Sequence, residues 1–190
     1  LINGSNVANY GIYLSNVNDT SIDNINITRI NSGSGRGAIY GMGLNNINFR
    51  NSYLYDNNGI GFSFIRANNM NITGNRVLHT LNVSLASNGY FHNISFVNFT
   101  NNILEKPALL GDQIVHCSGW INDSIFSNNT FSGICSFAGL CSQYSVPSRV
   151  EVYDNIFNTN CTAIQFGTLY TTGAGARKQP TSGFLKIHNN

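Results

Sequence analysis

Eight carboxylates are all this chain offers for acid–base chemistry: Asp19, Asp23, Asp56, Glu105, Asp112, Asp123, Glu151 and Asp154. No two are adjacent, and the closest in sequence are Asp19 with Asp23 and Glu151 with Asp154. Glycoside hydrolysis needs two carboxyl groups facing each other across a groove. A polysaccharide lyase needs carboxylates that hold calcium, beside an arginine or lysine base. Asp112, Asp123 and Asp154 are the candidates for catalytic work of this kind, and calcium enters only under the lyase alternative. Asp154 lies in Tyr153-Asp154-Asn155, where aspartate is a common turn residue and reads first as structural. The histidines His79, His92, His116 and His188 stand apart and have no acidic neighbours, so they read as polar strand or turn residues. Cys117 follows His116 directly, but neighbours on a strand point to opposite faces, which argues against a Cys–His nucleophile. Gly33-Ser34-Gly35-Arg36-Gly37 lacks the Lys-Ser/Thr ending of a phosphate loop and reads as a corner loop. No metal site and no resident cofactor are expected.

The elements that position these residues follow from composition. Only 9% of the 190 residues are charged, while 42% are apolar, so the chain is neither highly charged nor poor in core formers and does not read as disordered. Its polarity comes from 32 asparagines and 31 serines and threonines, with 19 glycines. Asparagine and glycine disfavour helices and accept left-handed backbone, so short strands joined by tight turns are expected. A net charge of +2 argues against nucleic acid and anionic membranes as partners. No apolar run reaches the roughly 18 residues of a membrane helix, so no membrane insertion is expected in this segment. The chain starts at Leu1 and stops at Asn189 and Asn190 inside a repeat, so it reads as a piece of a longer protein.

A pattern of apolar, polar, apolar residues followed by an asparagine-rich turn recurs along the chain. It reads Ile25-Asn26-Ile27, Ile47-Asn48-Phe49, Met70-Asn71-Ile72, Ile94-Ser95-Phe96, Val150-Glu151-Val152 and Leu185-Lys186-Ile187. The first four copies step by 22, 23 and 24 residues. A second tier of apolar runs precedes them: Ile12 to Leu14, Ala38 to Tyr40, Phe62 to Ile65, Val83 to Leu85, Ile114 to Val115 and Ala163 to Phe166. Period-two alternation marks strands with one buried face. Such a segment cannot bury that face alone, but stacked coils can. The expected fold is all-β, a right-handed single-stranded parallel β-helix of about seven coils spanning residues 1–190, without substantial helix. Asparagines three residues after a strand, as in Ile72/Asn75, Phe99/Asn102, Phe126/Asn129, Val152/Asn155 and Ile187/Asn190, are expected to stack as an amide ladder.

The strings NITGNRV, FTNNIL, FSNNTF and VYDNIF resemble the parallel β-helix repeat of pectate-lyase-like folds, NosD-like periplasmic proteins, archaeal surface proteins and phage tailspikes. The resemblance implies the fold and leaves the function open, because that fold hosts lyases, hydrolases, adhesins and viral fibres. The Asp-Asp pair and Gly-His-Gly string of polygalacturonases are absent from the sequence.

Ten Asn-x-Ser/Thr sequons begin at Asn3, Asn18, Asn26, Asn71, Asn82, Asn93, Asn98, Asn122, Asn128 and Asn160, and are candidate glycosylation sites. Cys117, Cys135, Cys141 and Cys161 form an even set that reads as two disulfides in an extracellular setting. Of the three pairings, Cys135 with Cys141 would close a short loop and leave Cys117 with Cys161. Three excursions, 105–112, 137–148 and 167–183, break the coil length. The last two are expected at one corner of neighbouring coils, gathering Tyr144, Arg149, Tyr170, Arg177 and Lys178, with Trp120 close by, as a ligand-binding cluster for carbohydrate. The leading expectation is an extracellular, cell-surface or virion-surface structural or attachment protein. Its partners would be carbohydrate or neighbouring subunits, with homo-oligomer or filament formation at open ends. The alternative is a polysaccharide lyase or glycoside hydrolase.

Overall fold

A computed structural model of the chain describes residues 1–78, 88–106, 113–135, 138–141, 145–167 and 185–190. Every regular element among them is a strand. In chain order these are β1 (Ile2–Asn3), β2 (Ile12–Ser15), β3 (Asn18–Asp23), β4 (Asn26–Thr28), β5 (Asn31–Met42), β6 (Asn45–Arg50), β7 (Tyr53–Tyr55), β8 (Asn58–Ile65), β9 (Asn68–Thr73) and β10 (Arg76–Leu78). They continue as β11 (Gly89–Thr100), β12 (Ile103–Lys106), β13 (Gln113–Ser127), β14 (Thr130–Gly133), β15 (Ala138–Leu140), β16 (Ser145–Tyr153), β17 (Ile156–Thr159), β18 (Thr162–Ile164) and β19 (Leu185–His188).

The strands stack in parallel into a β-solenoid with three walls. Wall one is the seven-stranded sheet β1-β4-β7-β10-β12-β14-β17. Wall two runs β2-β5-β8-β11-β13-β15-β18, and wall three runs β3-β6-β9-β11-β13-β16-β19. The long strands β11 and β13 serve both of these walls. Five rungs of wall one have a neighbour on each side, so the stack amounts to about five turns rather than the seven counted from sequence.

The coils are held in register by their corners. Left-handed backbone recurs in columns, one residue per coil: Asp19, Asn46, Asn69, Phe96, Asp123 and Arg149 in one, and Asn24, Asn51, Gly74, Asn101, Asn128, Asp154 and Asn189 in another. Asparagine, aspartate and glycine tolerate this conformation, which explains their abundance. Between the corners, one column of wall three points inward as Ile22, Phe49, Ile72, Phe99, Phe126, Val152 and Ile187. Phe62, Phe64 and Phe91 from wall two meet Phe49, Phe99 and Phe126 at centroid distances of 5.7–6.3 Å. Burial of these rings along one continuous core is the main force closing the coils.

This register corrects the sequence expectation at two places. Ile25-Asn26-Ile27 is not a wall-three copy, because Asn26 and Ile27 lie in β4 on wall one, paired with Tyr53 and Leu54. The wall-three copy in that coil is Thr20-Ser21-Ile22. Ile94-Ser95-Phe96 is offset in the same way. Phe96 occupies a left-handed corner at φ 54° and is 57% exposed, while Val97-Asn98-Phe99 supplies the strand face. The true spacing in the column is 27, 23, 27, 27, 26 and 35 residues. Segment 137–148 is likewise not a pure excursion. Within it β15 stands in wall two, paired with β13 and β18, and β16 begins at Ser145. Of excursion 105–112, Glu105 and Lys106 belong to β12. Residues 107–112, 136–137, 142–144 and 168–184 lie outside the described residues, as does the expected strand Val83 to Leu85.

Candidate functional site

Asparagine organises the corner between wall three and wall one. In Asn75, Asn102, Asn129 and Asn155, all at most 3% exposed, the side chain bridges to the next coil. The Oδ1 of Asn102 accepts the backbone N–H of Asn75 at 3.0 Å and its Nδ2 at 3.1 Å. The Nδ2 of Asn102 also donates to the Ile72 carbonyl at 3.0 Å. The same bonds repeat from Asn102 to Asn129, Asn129 to Asn155 and Asn155 to Asn190. The ladder begins with Ser52, whose N–H donates to Asn75 Oδ1. This is the amide ladder expected from the asparagines three residues past each strand, and it satisfies corner backbone groups that water cannot reach.

The carboxylates are engaged across coils. Asp23 pairs with Arg50 at 3.0 Å, Glu105 with Arg76 at 3.1 Å, and Glu151 with Lys186 at 3.9 Å. Asp123 accepts from both Nε and Nη2 of Arg149, and Asp19 accepts from Asn46. The hydrogen bond from Arg149, with its positive charge, holds the Asp123 carboxyl below the usual aspartate range. Any stability this pair contributes is present above about pH 3.9 and is lost as pH falls through the depressed value. Asp154 sits in its corner column between Asn128 and Asn189, with no carboxylate beside it in that column. Asp112 lies outside the described residues. Asp123 and Asp154 stand in different corner columns, so these two candidates are not brought together. Among the described residues no group of three or more His, Cys, Asp or Glu is placed to hold a metal ion.

Of the expected ligand cluster, Trp120 and Arg149 fall among the described residues. Trp120 is half-buried in β13, in register with Val146, and its backbone N–H donates to Asn93 Oδ1 at 3.0 Å. Arg149 belongs to the corner column and is occupied by Asp123, so it shares no column with Trp120. Tyr144, Tyr170, Arg177 and Lys178 lie outside the described residues.

The sequons divide by what their carboxamides do. Asn18, Asn26 and Asn128 are exposed. Asn71 and Asn98, adjacent on wall three, are joined by a 3.2 Å bond. Asn3 accepts the Ser5 N–H, Asn93 holds Trp120, and Asn160 accepts the Cys135 N–H at 3.0 Å. Asn122 is partly buried, and Asn82 lies outside the described residues.

The disulfides join Cys117 to Cys141 and Cys135 to Cys161, with separations of 24 and 26 residues, about one coil each. This corrects the pairing of Cys135 with Cys141. Loop proximity in sequence suggested that bridge, but stacking brings together residues one coil apart.

One feature was missed in the sequence. The outward positions of wall two carry Tyr13, Tyr40, Ser63, Tyr90 and His116 in unbroken register. The signal was present as an aromatic or polar residue flanked by core positions within the second-tier runs, as in Ile12-Tyr13-Leu14 and Ile39-Tyr40-Gly41.

Fold and site together define a disulfide-bridged parallel β-solenoid. No family model, no curated protein and no solved structure matches the chain.

Proposed function

We propose that the chain is an extracellular scaffold, a structural or attachment module of a cell or virion surface. The observation that carries this reading is the use of its acids. Five of the eight, Asp19, Asp23, Glu105, Asp123 and Glu151, bond a residue on the neighbouring coil. Catalytic carboxylates face a substrate groove, whereas these join one coil to the next along the surface. Two disulfides support an oxidising setting. Low charge and dense inter-coil bonding suit a rigid surface on which neighbours or ligands dock.

The test is turnover by the intact protein against a panel of pectic, uronate and neutral polysaccharides, with and without calcium. New reducing ends and the ultraviolet absorbance of unsaturated uronates are followed together. The expected result is no cleavage. Cleavage that is abolished by Asp112→Asn, Asp123→Asn or Asp154→Asn would replace the scaffold with a polysaccharide lyase or glycoside hydrolase.

A further inference from the structure

Wall two presents a face unlike the rest of the surface. Its outward column is Tyr13, Tyr40, Ser63, Tyr90 and His116, and beside it run Ser15, Met42, Ile65, His92 and Ser118. Consecutive rungs of such a column are about 4.8 Å apart. At the first two rungs the rings of Tyr13 and Tyr40 lie 5.7 Å apart and 8° from parallel. Tyr10 leans on both, at 5.3 and 5.6 Å. Tyr13, in the outermost strand of wall two, is 53% exposed. Further along, Tyr90 and His116 meet edge to face at 5.2 Å. Between the two aromatic groups Ser63 is fully buried, and its Oγ has no hydrogen-bond partner among the described residues.

Neither column contains an Asp, Glu, Lys or Arg. The protonation of His92 follows from its neighbours. The backbone N–H of Trp120 can only donate, so the Asn93 atom that receives it is Oδ1. The other end of that amide, Nδ2, then points at His92 Nε2, 3.0 Å away, and Nε2 must accept. The proton of a neutral His92 therefore sits on Nδ1 and is donated to Ser118 Oγ at 2.8 Å. Ser118 Oγ is also 3.0 Å from the Tyr90 hydroxyl. Flat apolar rings, rimmed by hydroxyl and imidazole groups and free of charge, match the C–H faces and hydroxyls of sugars. The absence of cations from both columns disfavours nucleic acid and sulfated or uronate chains.

We propose that the cluster of Tyr10, Tyr13 and Tyr40 binds a neutral glycan, its rings stacking against the sugar faces. The site adds a ligand to the scaffold and stands apart from that reading. A neutral glycan that is bound and also cleaved would overturn the scaffold and leave this site in place.

The experiment titrates the protein with hexasaccharides of β-linked glucose, mannose and N-acetylglucosamine, and with a uronate hexasaccharide as the charged control. Binding is read by calorimetry and tyrosine fluorescence. At least one neutral hexasaccharide is expected to bind. Tyr13→Ala and Tyr40→Ala should each weaken binding tenfold or more, and Tyr13→Phe should retain it. Tyr53→Ala, which removes a ring on wall one, should leave it unchanged. Ser15→Arg keeps every ring and obstructs the face, so it should also abolish binding even if an alanine variant folds poorly. The proposal is overturned if no neutral hexasaccharide binds at millimolar concentration, if the uronate alone binds, or if binding survives both Tyr40→Ala and Ser15→Arg.

Discussion

Two stacks of asparagine run along this molecule and differ chiefly in their access to water. At the corner between walls three and one, Asn75, Asn102, Asn129 and Asn155 are buried, and each also bonds backbone groups. On the outer face of wall three, Asn48, Asn71 and Asn98 pass similar side-chain bonds from coil to coil at 3.5 and 3.2 Å, next to solvent. The donors and acceptors are chemically the same. Breaking a bond in the outer stack returns its groups to water, whereas breaking one in the inner stack strands them. Burial, rather than bond count, decides which stack specifies the coil.

The comparison breaks most sharply with Asn102→Ala. It leaves the Asn75 N–H and the Ile72 carbonyl without these partners in a buried corner, and should cost about 3–5 kcal/mol. Urea unfolding measures the loss, and a cost similar to that of an outer-stack variant would remove the distinction. Phe96→Asn sharpens the contrast from the opposite direction. It relieves an aromatic residue of a left-handed corner and gives up little burial, so it should stabilise by about 1 kcal/mol in the same measurement. Asn71→Ala should be the mildest, within about 0.5 kcal/mol. Hydrogen exchange should then show unchanged protection at wall three, and loss of protection there would mean the outer stack holds the sheet.

The inner stack was legible because its asparagines keep a fixed offset of three residues from each strand, as in Phe99/Asn102 and Phe126/Asn129. The parallel stacking was legible for a related reason, since core alternation and corner residues recur together. Register was harder to read. Ile25-Asn26-Ile27 and Ile47-Asn48-Phe49 alternate identically, yet one belongs to wall one and the other to wall three. Alternation reports that a face is buried and does not say which wall the strand joins. The left-handed corners fix the wall, and Phe96 hides one of them because a phenylalanine does not announce a turn. The candidate site suffered most. The acids read as candidate catalysts in sequence because their partners, such as Arg149 for Asp123, lie one coil away and are remote along the chain. The tyrosine column stayed invisible until Tyr13, Tyr40 and Tyr90 were brought to one face.

The interlocked disulfides have a mechanical consequence. A taut path through the C-terminal coils enters at Cys117, crosses to Cys141, runs back to Cys135 and crosses to Cys161. Pulled from its ends, this stretch can lengthen only by the five residues between Cys135 and Cys141, about 20 Å over six peptide steps when extended. Unbridged, the 44-residue span from Cys117 to Cys161 would extend to about 150 Å. Under load the molecule therefore behaves as a rope with a knot near one end. The N-terminal coils can unspool one after another, while the bridged coils pass the force on almost without yielding.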